Sequence, residues 1–336
     1  MFCGDSLIRI PVVTVRKFTV TEQTEGAVLA ALRKHEPRLT WSAARALLAA
    51  RRLGVNGILV IDEGRRIRTG DVLEVRDSAF APPPKDDDVR ILFLDAHVVV
   101  ADKPAGMLSV RHPGDQGWRP QRRERQPSLE ESLQRLIEKR ERHSKVSRFS
   151  ELLPVHRIDR ETSGILAFAR TEEAQKGLIV QFAAHQTLRR YLCVVPGTVQ
   201  PITLRSFQVR DRGDGMRGSG SEDEEGRHMV THVRPLRSFG TYTELECRLE
   251  TGRTNQIRIQ LAEIGHPLCG DVKYRGAFGA KPVEDNSGAT RLALHAAELG
   301  FRHPGTGETL SWQLPWPAEI LRWLNVLARP EQRQRR

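Results

Sequence analysis

The sequence predicts two mixed helix-and-strand units, the second much the larger. Three observations predict it. A helical stretch rich in alanine and arginine leads into short strand runs around an Asn-Gly pair. A Pro- and Asp-rich segment then interrupts the chain, and beyond it apolar runs of strand length recur beside dense polar clusters. The length of 336 residues fits about two domains. With 39% hydrophobic and 28% charged residues, the chain has material for a core and is not mostly disordered.

Fifty-three Lys and Arg against 42 Asp and Glu leave a formal charge of +11, which favours a polyanionic partner. No run approaches the roughly 18 apolar residues of a membrane helix, so a spanning protein is not expected. Met1 to Val20 carries Asp5, Arg9, Arg16 and Lys17 without a continuous apolar block, which argues against a signal peptide. Cys3, Cys193, Cys247 and Cys269 form no CxxC pair. A disulfide framework or zinc site is therefore not expected, and a reducing cytoplasm fits.

In chain order, Thr40 is expected to N-cap a helix running to about Leu53, with Trp41, Ala44 and Leu48 on one face and Gly54 as the stop. Arg45 and Arg52, seven residues apart, would then share the solvent side with Ala49. Asn56-Gly57 predicts a tight hairpin turn, and Val72–Val75 a strand. Residues 81–89, APPPKDDDV, read as an extended linker whose aspartates repel. Ile91–Leu94 and Val98–Ala101 read as a buried hairpin. Residues 111–148 carry eleven Lys or Arg, with helical spacing from Leu129 to Arg142. Asp211–Gly226 reads as a mobile loop, Arg275–Ala289 as another, and Ala318–Leu327 as a helix before a basic tail.

Four clusters carry polar chemistry. The first, residues 154–166, crowds His156, Arg157, Asp159, Arg160, Thr162 and Ser163 before an apolar run, as where a loop meets a strand. Positive neighbours favour the carboxylate form of Asp159. It is a candidate nucleophile, base or charge anchor, and equally a turn cap paired with Arg157. The second, residues 251–271, alternates Gln256, Arg258 and Gln260 with Ile257, Ile259 and Leu261, as in a half-buried strand or a helix start. There Gly252-Arg253 would let a guanidinium approach a phosphate. The third is a strand bearing Tyr191, the fourth a strand bearing His295, and at both residues local chemistry favours an ordinary structural role. A kinase reading of His156-Arg157-x-Asp159 fails for want of an Asp-Phe-Gly and a glycine loop.

HRIDRETSGILAFA (156–169), RRYLCVV (189–195), GRTNQIRIQLAEIGHPLCGDVKY (252–274) and LHAAELGFRHP (294–304) resemble the RluA-type pseudouridine synthases. VVVADKPAGMLSV (98–110) is similar to that family's leading strand and turn. The matches span most of 90–326. Residues 15–80 resemble an S4 RNA-binding domain in TWSAARALLAARRLGVNG and IRTGDVLEV.

The resemblance implies an α+β catalytic domain over 90–326, a mixed and largely antiparallel sheet with flanking helices. Before it would stand a small α/β S4 domain (15–80), after an extension (1–14), with the linker at 81–89 and the tail at 327–336. It implies isomerisation of uridine to pseudouridine, with Asp159 the essential carboxylate and Arg258 its basic partner. Arg157 would fill the place of the flipped nucleotide, Tyr191 pack against the base and offer a hydroxyl to take the C5 proton, and Ile257 line the pocket. Arg253 is a further candidate for substrate contact, and Arg45, Arg51, Arg52 and Asn56 for RNA binding. No cofactor and no metal are expected, since nothing is oxidised and no phosphoryl group moves. The expected partner is large-subunit ribosomal RNA, transfer RNA or a pre-ribosomal particle, with no membrane, and the protein a monomer. A non-catalytic RNA-binding protein of the same fold is the alternative from another class. Two residues depart from the family pattern: Asn255 stands where histidine is usual, and Arg189 where lysine is usual.

Overall fold

The computed structural model describes residues 14–115, 117–141, 151–220 and 227–328, and the chain divides into a unit ending at Pro82 and one beginning at Pro83. The first unit runs β1 (Val15–Thr19), β2 (Gly26–Ala27), α1 (Val28–His35), α2 (Trp41–Ala49), β3 (Leu53–Val55), β4 (Ile58–Leu59), β5 (Arg66–Ile67) and β6 (Val72–Arg76). Strands β1, β6, β3 and β4 form one antiparallel sheet in that order. Val28, Leu32, Leu53 and Leu73 close a core of its own.

Thr40 caps α2, its hydroxyl accepting from the Ala43 N–H at 3.2 Å. The helix ends at Ala49, short of the expected Leu53. Arg51 takes a left-handed φ of 55°, and the Arg52 N–H turns back to the Leu47 carbonyl, closing the helix with no glycine at the stop. Leu53 then enters β3 fully buried, because the sheet needs an apolar residue there. Gly54 is not a stop but a strand residue beneath the Phe80 ring, which a Cβ would meet at 2.8 Å. Arg52 consequently leaves the helix face of Arg45, and its Nε donates to the Arg76 carbonyl. Asn56 and Gly57, at φ of 53° and 74°, make the hairpin turn.

In the second unit β7 (Arg90–Leu94), β8 (Val98–Lys103), α3 (Pro120–Arg125), α4 (Leu129–Glu141), β9 (Leu153–Pro154), β10 (Ser163–Ala169) and α5 (Glu172–Ala183) come first. There follow β11 (Leu188–Pro196), β12 (Ile202–Val209), β13 (Gly218–Gly220), β14 (Arg227–Phe239) and β15 (Tyr242–Leu249). The chain continues with α6 (Gln256–Glu263), β16 (Leu294–Arg302), β17 (Thr309–Gln313) and α7 (Ala318–Leu327). One eleven-stranded sheet has the order β13-β12-β14-β15-β11-β16-β10-β8-β7, with β17 on β16 and β9 on β10. Among the described residues its pairings are antiparallel except β10 with β16. This is the mixed, largely antiparallel sheet that the resemblance implied. One sheet face packs against α4 and α6, through Leu133 and Ile257, and α7 covers the other with Ile320 and Trp323.

Two segments depart from their expected irregularity. Asp86–Asp88 form a 3-10 turn rather than extended linker, and the repulsion of the aspartates is relieved because Asp86 takes a two-pronged contact from Arg135 at 2.7 Å. Within 211–226, Asp211 accepts the Gly213 and Gly215 N–H groups, and Gly218–Gly220 pair with β12, so this part is an ordered turn and strand. Ser221–Gly226 lie outside the described residues, as do most of the expected extension, the C-terminal end of the basic stretch and most of the tail.

A single transverse row of the sheet joins the motifs. Lys103 of β8 pairs with Gly164 of β10, Gly164 with Ala296 of β16, Ala296 with Tyr191 of β11, and Tyr191 with Cys247 of β15. Between Arg190 and Tyr191 the pairing with β16 slips by one residue, a bulge that re-aims Tyr191 relative to its neighbour. Gly164 has φ of 118°, and a Cβ there would sit 2.2 Å from the Ala296 carbonyl oxygen. Gly164→Ala is therefore expected to destabilise the fold by about 2–4 kcal/mol. Thermal melting tests it, and an unchanged melting temperature would contradict this account of the strand junction.

Candidate active site

The loop carrying Asp159 is held by its backbone. Ser109 Oγ donates to the Ile158 carbonyl at 2.7 Å and accepts the Ile158 N–H at 3.1 Å. The Arg160 carbonyl takes the Gly106 N–H at 2.8 Å and Lys103 Nζ at 3.1 Å. Lys103 Nζ also donates to the carbonyls of Pro104 and Met107. The side chain of Asp159 is left half-buried, with 20% of its surface exposed.

Arg258 supplies its cationic neighbour. It lies on α6, a helix buried along Gln256–Ala262, which settles the choice between strand and helix. Its Nη1 stands 3.6 Å from Asp159 Oδ2. The stronger partner is Asp271, which accepts Nε at 2.7 Å and Nη2 at 2.9 Å and whose side chain is fully buried. Burial opposes the guanidinium charge, but the hydrogen bonds and charge of Asp271, with a smaller contribution from Asp159, outweigh it and raise the Arg258 pKa. Arg253, at the start of this loop, instead donates through Nε to the His228 carbonyl.

Tyr191 and Ile257 share the apolar cluster of this sheet face with Ile158, beside the Asp159 loop. Burial pushes the Tyr191 phenol up to about 12, aided by Asp159 and opposed by Arg189. The hydroxyl therefore stays protonated near neutral pH. Burial, with Arg189 adding to it, lowers His156 to about 3, so this imidazole is neutral. Its Nε2 accepts the Ala167 N–H while the ring stacks on Phe182, a structural role. His295 meets Ser163 Oγ at 2.9 Å inside the sheet and is likewise structural.

Asp159, Tyr191, Ile257 and Arg258 thus assemble in one place. Arg157 projects from the same loop into solvent. Arg45, Arg51, Arg52 and Asn56 belong to the first unit, where each has local work. Arg45 pairs with Glu63, Arg51 donates twice to the Phe80 carbonyl, and Asn56 clasps Asp71 and the Val72 N–H. Sequence reasoning passed over Asp271 and Lys103, although both lie in quoted motifs. A lysine among VVVAD and an aspartate after HPLCG were the available signals.

Residues 97–263 match the family model described as RNA pseudouridylate synthase. The chain is 36% identical over 270 residues to ribosomal large subunit pseudouridine synthase D of Xanthomonas campestris, across 79% of this chain and 76% of that protein. It is 33% identical over 270 residues to the protein of the same name in Zymomonas mobilis, across 79% and 81%. An uncharacterized RNA pseudouridine synthase, YlyB of Bacillus subtilis, is 40% identical over 168 residues, 49% of this chain and 52% of that one. In fold it is similar to the human RNA pseudouridylate synthase domain containing 4, with TM-score 0.54 at 21% identity over 70% of this chain and 92% of that one. With the sheet, the Asp159 loop and the buried arginine in place, the chain belongs to the RNA pseudouridylate synthases. It is an isomerase that converts uridine to pseudouridine in RNA.

Burial lowers the Lys103 ammonium to about 7, against the opposing pull of Glu161 and Asp159. Because the folded value lies below the unfolded one, the fold carries the full cost of a buried cation below about pH 7, and that cost falls away as pH rises towards the ordinary lysine value. The stability of the wild type relative to Lys103→Met is expected to improve between about pH 7 and pH 10. Denaturant unfolding at both pH values measures it, and a difference independent of pH would refute the lowered Lys103 value.

Proposed function

We propose that this enzyme isomerises a uridine of large-subunit ribosomal RNA, with Asp159 as the catalytic carboxylate. The observation that carries the reading is the half-exposed Asp159 carboxylate 3.6 Å from a guanidinium that is itself anchored from behind by Asp271. An anchored cation cannot follow the carboxylate, so it favours negative charge there without closing the cleft. The reaction breaks the bond from C1′ to N1, turns the uracil, joins C5 to C1′, and moves one proton from C5 to the solvent pool while N1 gains one. Asp159 acts either covalently, on sugar or base, or by steadying positive charge at C1′. Tyr191 offers a flat face and a hydroxyl to take the C5 proton, and Ile257 walls the pocket. Arg157, exposed on the pinned loop, takes on this reading the stack that the extruded base leaves, which offsets part of an unstacking cost of about a few kcal/mol.

The ribosomal substrate is supported by the names of the relatives that share about a third of their residues with this chain over most of its length. A first unit of S4 type over 15–80 would add RNA grip through Arg45, Arg51, Arg52 and Asn56, and the enzyme acts as a cytoplasmic monomer on this reading. Among the described residues no helix is long and apolar enough to cross a membrane. A second grip is the basic segment after Ser109. The Arg111 guanidinium is forked onto Glu131 at 2.8 Å, Arg122 lies 3.9 Å over the Trp118 ring, and Arg119 and Arg125 are exposed. This order presents the charges of Arg119 and Arg125 on the segment that follows Ser109, the contact that pins the Asp159 loop.

Pseudouridine mapping on unmodified ribosomal and transfer RNA tests the reading. The wild type is expected to give a new signal on ribosomal RNA that Asp159→Ala abolishes while still binding. Turnover by Asp159→Ala would sink the assignment, and signal on transfer RNA alone would change the substrate. For the basic segment, Arg119→Ala with Arg125→Ala is expected to flatten the slope of log affinity against log salt by about 0.7–0.9 per lost phosphate contact. An unchanged slope would remove the segment from the RNA interface.

A further inference from the structure

Arg258 is held from two sides, by Asp271 and by Asn255. Asn255, at φ of 59° and ψ of 19°, takes the left-handed conformation that asparagine tolerates well, at the N-cap of α6. Its side chain makes no cap hydrogen bond. It reaches instead one turn along the helix, where Oδ1 accepts Arg258 Nη1 at 2.9 Å. On its other side Nδ2 donates to the Tyr274 hydroxyl at 3.2 Å. Since a guanidinium only donates, the oxygen must face Arg258, and the amide orientation follows.

The Nη1 group that Asn255 takes is the one that stands 3.6 Å from Asp159 Oδ2. Asp271 fixes the plane through Nε and Nη2, and is itself fixed by the N–H groups of Lys273 and Tyr274. With one Nη1 hydrogen engaged by Asn255, the other is left for Asp159. Asn255 is also uncharged. A carboxylate at its position would claim the same nitrogen and put a third negative charge around one cation.

We infer that Asn255 is a positioning residue for the reaction: it aims Arg258 Nη1 at Asp159 and, by being neutral, leaves Asp159 as the one carboxylate on that side of the guanidinium. The inference rests on Asp159 being the catalytic carboxylate. The charged and titratable groups around Asp159 are Arg258, Lys103, Lys273, Tyr191 and Tyr274. Only the first of these touches Asn255 and also pairs with Asp159.

The test is steady-state kinetics with pH profiles on the RNA that the wild type modifies. Asn255→Ala is expected to lower kcat about tenfold with KM for RNA nearly unchanged, the loss of one hydrogen bond to a charged group. Asn255→Asp keeps the shape and both contacts, because the Tyr274 hydroxyl can turn from acceptor to donor. It is expected to move the acid limb of kcat upward by about one pH unit. Asn255→His, which restores a neutral acceptor, is expected to recover most of the activity lost in the alanine variant. Wild-type kcat in Asn255→Ala, or an acid limb unmoved in Asn255→Asp, overturns the inference. Asp159→Ala assayed alongside separates the two ideas. If it is inactive while the Asn255 variants behave as wild type, only the positioning role fails; if it is active, the reading of Asp159 fails first.

Discussion

The arrangement of the second unit depends on a guanidinium buried between two carboxylates. Arg258 sits on a helix with no solvent face, and a lone cation there would be prohibitively costly. Asp271 meets that cost with two short hydrogen bonds, and Asp159 stands beyond on the open side. Removing the inner carboxylate would leave an uncompensated buried charge, so the loop of residues 271–274 is as necessary to the site as the loop that carries Asp159. The same demand governs the rest of α6. Gln256 and Gln260 are buried, and both reach Thr231 on β14. The helix is thereby stitched to the sheet by its polar residues, and Ile257 and Leu261 fill the space between.

The loop of Asp159 is fixed differently, through its main chain. Lys103, Gly106 and Ser109 together hold the backbone of residues 158 and 160. Contacts of this kind leave the side chains of Arg157 and Asp159 out of the work of holding the loop. They also tie the loop to β8, whose last residue shares a sheet row with Tyr191. Side chains far apart in sequence are therefore placed by one set of strand registers, and a slip of one residue would send alternate side chains to the opposite face.

The first unit shows basic residues spent on structure before function. Arg51 and Arg52 satisfy main-chain carbonyls at the end of a sheet, and Asn56 closes a turn. Their charge remains near the surface, but their geometry is set by the fold. In the second unit Cys193 and Cys247 approach to 3.7 Å between sulfurs as free, buried thiols, although 54 residues separate them in the chain. Pairing of β11 with β15 alone explains the approach.

Much was legible in the sequence because its signals are local. The Thr40 cap, the Asn56-Gly57 turn, the β7–β8 hairpin and the bounds of α7 follow from residues within a few positions of one another. The motifs around Asp159, Tyr191 and Arg258 likewise identify the family without coordinates, since their spacing is written in the chain. What local signals misjudged had a distant cause. The end of α2 was decided by the sheet that needed Leu53, and the linker aspartate by Arg135 on α4. Only the tertiary structure showed that Arg258 answers first to Asp271, that Asn255 holds its free end, and that Lys103 is buried and anchors the Asp159 loop. Each of these depends on which partner a buried charge finds, and no periodicity or spacing encodes a partner that the fold alone brings near.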